Sequence, residues 1–319
     1  MTYTCTRVFG LQRSGNHAII NWLLGLQCEN TLFFNNRKVG DSLLESPSGV
    51  SVPAGVHAHA TREDGKVCIH NHLIDRFRRE GTRLIVSYEN FDINQYDEDI
   101  VDRPIADLFG SSKSSLNVII LRNPFNTISS LARMYPIQRH APSVNGEKYL
   151  QAFRKNVRRI RRVFADPQLV RRKLQSLKMR ETTQGSTQDP VLKIMQRWPA
   201  YARCTRRVAP IGLVPTVPVI YDFWLQDKKY RDEVAKQISM INKDKFLDFV
   251  SDAGGGSSFS ATKISGVGLL HTGVLERWQA TEDRDRLVAI CNDVPDIVTE
   301  AISVFGLRCV PEELKGLIR

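Results

Sequence analysis

The chain has 319 residues, 42% of them hydrophobic, and a formal net charge of +11, which bounds it to one large or two small globular domains with a real core. No apolar run approaches the roughly 20 residues of a membrane-spanning helix. The six cysteines (5, 28, 68, 204, 291 and 309) form no Cys-x-x-Cys pair, which argues against a zinc site or a disulfide framework and predicts reduced thiols in a cytoplasmic protein.

Residues 4–9 read as a short β-rich run, followed by Gly10-Leu11-Gln12-Arg13-Ser14-Gly15-Asn16-His17 and an apolar segment, 18–26. That segment is short, is interrupted by Asn21 and lacks a small-residue cleavage site, so it is a helix rather than a signal peptide. Strand, glycine-bounded loop and helix is the arrangement that gathers backbone N–H groups and a helix N-terminus around a phosphate. The two glycines have the spacing of a P-loop, but Asn16 and His17 stand where a nucleotide triphosphatase has Lys for the β- and γ-phosphates and Ser or Thr for Mg²⁺. The loop's cation comes earlier, as Arg13. These residues describe a phosphate cradle built without a metal ligand.

Further strands are expected at 31–34, 67–70, 83–88, 117–122 and 217–221, most of them separated by helical stretches. This alternation predicts an α/β fold with a central parallel sheet flanked by helices. Its ligand is expected beyond the carboxyl ends of the strands. Gly10 to His17, His70 and His72, Glu89, and Arg122 all follow predicted strands and are expected to share that edge. Between the strands, 40–65 and 181–190 read as connections, 149–179 as a basic helical region, and the Gly254-Gly255-Gly256 stretch as a flexible link to a lid ending near Gly273. The chain reads as a single domain, 1–319, with a helical basic insertion at 136–215. From 151 to 180 there are eleven Lys or Arg and one acid, Asp166. Such a surface attracts polyanions, yet it lacks the interleaved aromatics of a nucleic-acid binder.

Four motifs, in order, resemble those of sulfotransferases that use 3′-phosphoadenosine 5′-phosphosulfate (PAPS) as donor. Arg13-Ser14-Gly15 is similar to the family's basic-Ser-Gly loop. Arg122, at a strand end, and Ser130, eight residues on, match the pair that holds the donor's 3′-phosphate. In Cys68-Ile69-His70-Asn71-His72-Leu73, His72 lies 59 residues after Arg13, where the family's catalytic base stands, and His70 replaces a lysine. In His271-Thr272-Gly273-Val274-Leu275-Glu276-Arg277-Trp278, Gly273 and Trp278 keep the spacing of the late motif; His271 and Thr272 replace its two cations, which makes Arg277 or Lys263 the substitute. Val217 to Ile220 followed by Tyr221-Asp222 is similar to a strand ending in Tyr-Glu-Asp.

The resemblance covers anchors from residue 4 to about 280 and implies a P-loop-like sulfotransferase fold. It implies PAPS as donor, with no metal, bound by Arg13, Ser14, Gly15, Asn16, His17, Arg122, Ser130, Gly273 and Arg277. It further implies in-line sulfuryl transfer to an acceptor hydroxyl, with His72 as base, Arg13 neutralising charge on the leaving phosphate, and Glu89 as the rival base. The acceptor is expected to be a carbohydrate, and the basic insertion adds an anionic polysaccharide to the candidates. Two other readings stay open: a P-loop small-molecule kinase, and a non-catalytic polyanion or nucleic-acid binder on a degenerate P-loop fold.

Overall fold

The computed structural model describes residues 3–26, 31–41, 43, 50–51, 60–63, 66–69, 83–110, 112–136, 188–207, 211–242, 274–280 and 283–318. In chain order the elements are β1 (Tyr3–Gly10), α1 (Asn16–Leu26), β2 (Thr31–Phe34), β3 (Val50–Ser51), β4 (Ala60–Glu63), β5 (Lys66–Ile69), β6 (Arg83–Glu89), α2 (Glu98–Phe109), β7 (Ser112–Leu121), α3 (Pro124–Met134), α4 (Pro190–Met195), α5 (Trp198–Arg207), β8 (Thr216–Ile220), α6 (Tyr221–Gln226), α7 (Lys228–Gln237), α8 (Arg284–Asp293) and α9 (Asp296–Phe305), with a 3₁₀ segment at Val274–Ala280.

The main sheet has the strand order β3-β2-β6-β1-β7-β8. Five neighbouring strands, β2, β6, β1, β7 and β8, run parallel, and β3 pairs antiparallel with β2 at the edge. The central strand β1 is buried along nearly its whole length, as a parallel strand covered on both faces must be. Its residues alternate between the two layers. Val8 joins Ile19, Ile20, Trp22 and Leu23 of α1 in a core that also takes in Trp224 and Val234 of the later helices. On the opposite face Arg7, with no exposed surface, pairs with Asp102 of α2 and donates to Tyr96 Oη at 2.9 Å. A buried guanidinium is tolerable only with such partners. Among the described residues no helix is long and apolar enough to cross a membrane.

From β1 the chain crosses to β2 on one side, whereas from β7 it proceeds to β8 on the other. The neighbouring carboxyl ends of β1 and β7 therefore flank a topological switch point, where an open α/β sheet leaves a crevice.

Three differences from the sequence reading have physical reasons. Strand β7 begins five residues earlier than expected, because Ser112 and its neighbours are polar and give no apolar signal, although they pair with β1. Strand β5 does not join the main sheet; it forms an antiparallel two-stranded sheet with β4. An apolar run of four residues fixes a strand but not its partner, so the expectation that 67–70 is a strand of the main parallel sheet is corrected. His70 and His72 lie outside the described residues. Finally, Met1–Met134 with Val191–Arg319 form one compact unit and Tyr135–Pro190 another. Helices α4 and α5, which fall within the span read as an insertion (136–215), pack in the body of the first: Val191, Met195, Trp198 and Tyr201 are fully buried, and their three-to-four spacing is an ordinary core-facing stripe.

Candidate functional site

At the end of β1 the chain turns sharply. Ser14 N–H donates to the Leu11 carbonyl at 3.1 Å, Arg13 adopts a left-handed φ of 69° and Gly15 one of 87°. The Ala18 and Ile19 N–H groups both donate to the Gly15 carbonyl, at 3.0 and 3.2 Å, so the Asn16 and His17 N–H groups fall in the first turn of α1, which has no intrahelical acceptors. That turn is the positive end of the helix dipole.

Two glycines make room for this loop. A Cβ on Gly10 would lie 2.0 Å from Asn16 Oδ1, and one on Gly15 would lie 2.2 Å from the Tyr221 ring. Gly15→Ala is therefore expected to cost about 2–4 kcal/mol, from left-handed backbone strain plus overpacking. Gly110 has a similar φ of 82° but nothing within 4 Å of its added Cβ, so Gly110→Ala should cost less. Urea unfolding of the two variants checks the order.

Strand β6 supplies the next wall. Asn90 ties it to the loop, donating its N–H to the Gly10 carbonyl at 3.0 Å and accepting from Gln12 N–H at 2.8 Å. Asn16 Nδ2 donates to the Leu11 carbonyl at 3.1 Å and to Glu89 Oε1 at 3.3 Å. Glu89, the residue opposite Gly10 in the register of β6 on β1, is held above the ordinary carboxylate range by burial, with the Asn16 hydrogen bond and the Arg13 charge opposing.

Strand β7 and α3 complete the cradle. Asn123 caps α3, accepting from Phe125 and Asn126 N–H at 3.0 and 3.2 Å, and Pro124 takes the first helical position. Arg122, 7% exposed, donates from a terminal nitrogen to the Arg13 carbonyl at 2.8 Å and lies over the Tyr221 ring at 5.3 Å. Arg13 Nε in turn donates to Ser130 Oγ at 3.0 Å. Arg122, Arg13 and Ser130 are thus linked in a chain of hydrogen bonds at the switch point, across more than 100 residues of sequence.

The 3₁₀ segment carries Arg277 to the same place. It is fastened by Trp278 N–H donating to Asn126 Oδ1 at 2.9 Å, with the buried indole against Phe125 at 6.2 Å. Burial lowers the Arg13 guanidinium pKa, with Arg122 adding to the effect. Burial also lowers that of Arg277, where Arg122 acts in the same direction and Tyr221 and Asp222 oppose. Clustered, desolvated cations of this kind favour an anion among them. The His17 imidazole pKa is lowered by burial and then by the Arg13 charge.

No family profile and no curated protein matches the chain. Among solved structures the chain is similar to sulfotransferases. The sulfotransferase domain from the Synechococcus PCC 7002 olefin synthase aligns at a TM-score of 0.39 and 10% identity, over 92% of this chain and 95% of that one. Mouse sulfotransferase SULT7A1 complexed with PAP aligns at 0.37 and 10% identity, over 98% of this chain and 88% of that one.

Of the site residues expected from sequence, Arg13, Ser14, Gly15, Asn16, His17, Glu89, Arg122, Ser130 and Arg277 are brought to the carboxyl ends of β1, β6 and β7 and the elements against them; His72 and Gly273 lie outside the described residues. Sequence reasoning gave no functional weight to Asp222, which is fully buried and accepts from Asn123 N–H at 2.6 Å and Asn126 Nδ2 at 3.5 Å. It thereby holds the start of α3 beside Arg122. The signal was present, as a carboxylate immediately after an apolar strand. Asp222→Ala should cost about 1–3 kcal/mol by leaving the Asn123 amide unpaired, read by thermal unfolding.

A cleft open to solvent, about 340 Å³ counted together with the solvent space it faces, lies beside Glu89, towards β2. Its polar lining is Asn16, His17, Asn35, Asn36, Ser87 and Glu89.

Proposed function

We propose that the protein transfers a sulfuryl group from PAPS to an acceptor hydroxyl. The observation that carries this reading is the convergence of Arg13, Arg122 and Ser130 on the glycine loop, with 2.8 and 3.0 Å hydrogen bonds joining them. The residues present fit such a donor. Ser14, 1% exposed, has a hydroxyl with no hydrogen-bond partner among the described residues. Arg122 offers a planar fork of donors suited to a phosphate, and Arg277 adds a third cation beside it. The loop residues Gly15 to His17 supply backbone N–H groups at a helix N-terminus.

When bound, the donor supplies an activated sulfuryl group on a phosphate leaving group. The chain's part is positioning and charge neutralisation, which dominate transfers of this type. Arg13 and the first turn of α1 neutralise negative charge that grows on the leaving oxygen. Arg122, with Ser130, holds the phosphate that distinguishes this nucleotide from an ordinary adenine nucleotide. The acceptor's proton passes to Glu89 as its oxygen bonds to sulfur and the sulfur–phosphate oxygen bond breaks. Glu89 is taken as the base because it stands at the edge of β6, touching Asn16 and within the field of Arg13; His72 stays the alternative. Asn16 and His17 replace the Lys and Ser or Thr that a Mg²⁺-nucleotide loop uses, which supports transfer without magnesium.

The test uses PAPS labelled with ³⁵S, in excess EDTA, with a mixed pool of hydroxyl acceptors. Label moving to an acceptor supports the reading. Magnesium-dependent ATP turnover without sulfuryl transfer would overturn it in favour of a kinase.

A further inference from the structure

We infer that the cleft beside Glu89 binds a neutral, polyhydroxylated acceptor, that is, an uncharged sugar, and directs one of its hydroxyls at Glu89. This deepens the sulfuryl-transfer reading and rests on it. The cleft and the donor cradle share Asn16, His17 and Glu89. A molecule in the cleft therefore lies against the proton acceptor.

The lining selects the class of molecule. Asn35 and Asn36 bring two carboxamides, Ser87 a hydroxyl and His17 an imidazole. A carboxamide presents a donor and an acceptor side by side, as neighbouring sugar hydroxyls require. The polar groups are also fixed in place. Ser87 Oγ donates to Asn35 Oδ1 at 3.2 Å and accepts from the Asn36 N–H at 2.8 Å, and the Ser87 carbonyl accepts from Arg37 N–H at 2.7 Å. Asn36 is held in a left-handed conformation, φ 48°.

An anionic acceptor fits poorly. A uronate-bearing or sulfated glycan would set its anions beside Glu89, and among the described residues the lining contains no Lys or Arg to offset the repulsion. The expectation of an anionic polysaccharide came from the basic stretch 151–180, which lies outside the described residues; the cleft points to a neutral acceptor at the reacting hydroxyl.

The test offers the full chain and ³⁵S-labelled PAPS three acceptor pools: neutral malto-, chito- and manno-oligosaccharides; uronate-bearing oligosaccharides; and simple phenols. The inference expects label in the neutral pool. It also expects Asn36→Gly to raise KM for that acceptor roughly three- to tenfold with kcat little changed, as loss of one binding hydrogen bond does. Asn36 is exposed and glycine accepts its backbone conformation, so this variant keeps the fold. Label confined to phenols or uronate-bearing acceptors, label in no pool, or a KM indifferent to Asn36→Gly would overturn the inference. Binding of 3′,5′-bisphosphoadenosine (PAP), titrated in parallel, separates the two levels. Intact PAP binding with any of these results removes only the acceptor assignment, whereas absent PAP binding removes the donor reading itself.

Discussion

Arg122→Ala is expected to weaken binding of PAP by about a hundredfold, roughly 3 kcal/mol, the loss of two charge-assisted hydrogen bonds to one phosphate. The side chain is 7% exposed, stacked over Tyr221 and bonded to the Arg13 carbonyl, so its fork is already ordered before a ligand arrives. Preorganisation of this kind makes a group's contribution large. Arg122→Lys keeps the charge and loses the planar fork, so it should fall between alanine and wild type. The unliganded protein should hold most of its stability in either variant, because the lost bond to Arg13 is offset by relief of repulsion among Arg13, Arg122 and Arg277. Calorimetric titration of PAP, with thermal unfolding of the unliganded variants as control, reads both quantities. An unchanged affinity in Arg122→Ala would remove Arg122 from the donor site.

Glu89→Gln is expected to lower turnover by roughly 10²–10⁴, the range for loss of a general base, while PAP affinity stays within about threefold. Glutamine retains the shape and the acceptor for Asn16 Nδ2, so a large loss of turnover would report the proton and not the scaffold. The pH dependence carries a second signature. Burial raises the Glu89 pKa, and a base works when deprotonated, so wild-type turnover should climb through a limb above the ordinary carboxylate range. The same shift has a stability sign. A carboxyl whose folded pKa exceeds its unfolded one stabilises the fold fully below the unfolded value, and that contribution is lost as pH rises through the folded value. Glu89→Gln should therefore be the more stable protein at neutral pH, with the difference vanishing on acidification. A His72→Ala variant in the same assay compares the two bases directly: loss of turnover in His72→Ala, with Glu89→Gln unaffected, would move the proton to the histidine.

Much of this architecture was legible because buried parallel strands announce themselves. Residues 32–34, 84–86 and 118–121 are continuous apolar runs, and β2, β6 and β7 fall on them. Arg13 and Arg122 were legible for a related reason, since a charge at the end of such a run has nowhere to sit but the carboxyl edge. Pairing was harder to read. Nothing local distinguishes β5, which pairs with β4, from β6, which pairs with β1. Asn16 was visible as a residue but not as the amide that bridges Leu11 and Glu89 through the space Gly10 leaves. The cleft was also hidden, because Asn35, Asn36 and Ser87 are ordinary polar residues until the register of β2 on β6 brings them together.

The most direct measurement is a crystal structure of the protein soaked with PAP in the presence of EDTA. Phosphate density within hydrogen-bonding reach of both the Arg13 and Arg122 guanidinium groups, over the N-terminus of α1 and with no metal between, is the predicted result. Nucleotide bound elsewhere, or an empty cradle at millimolar PAP, would contradict it.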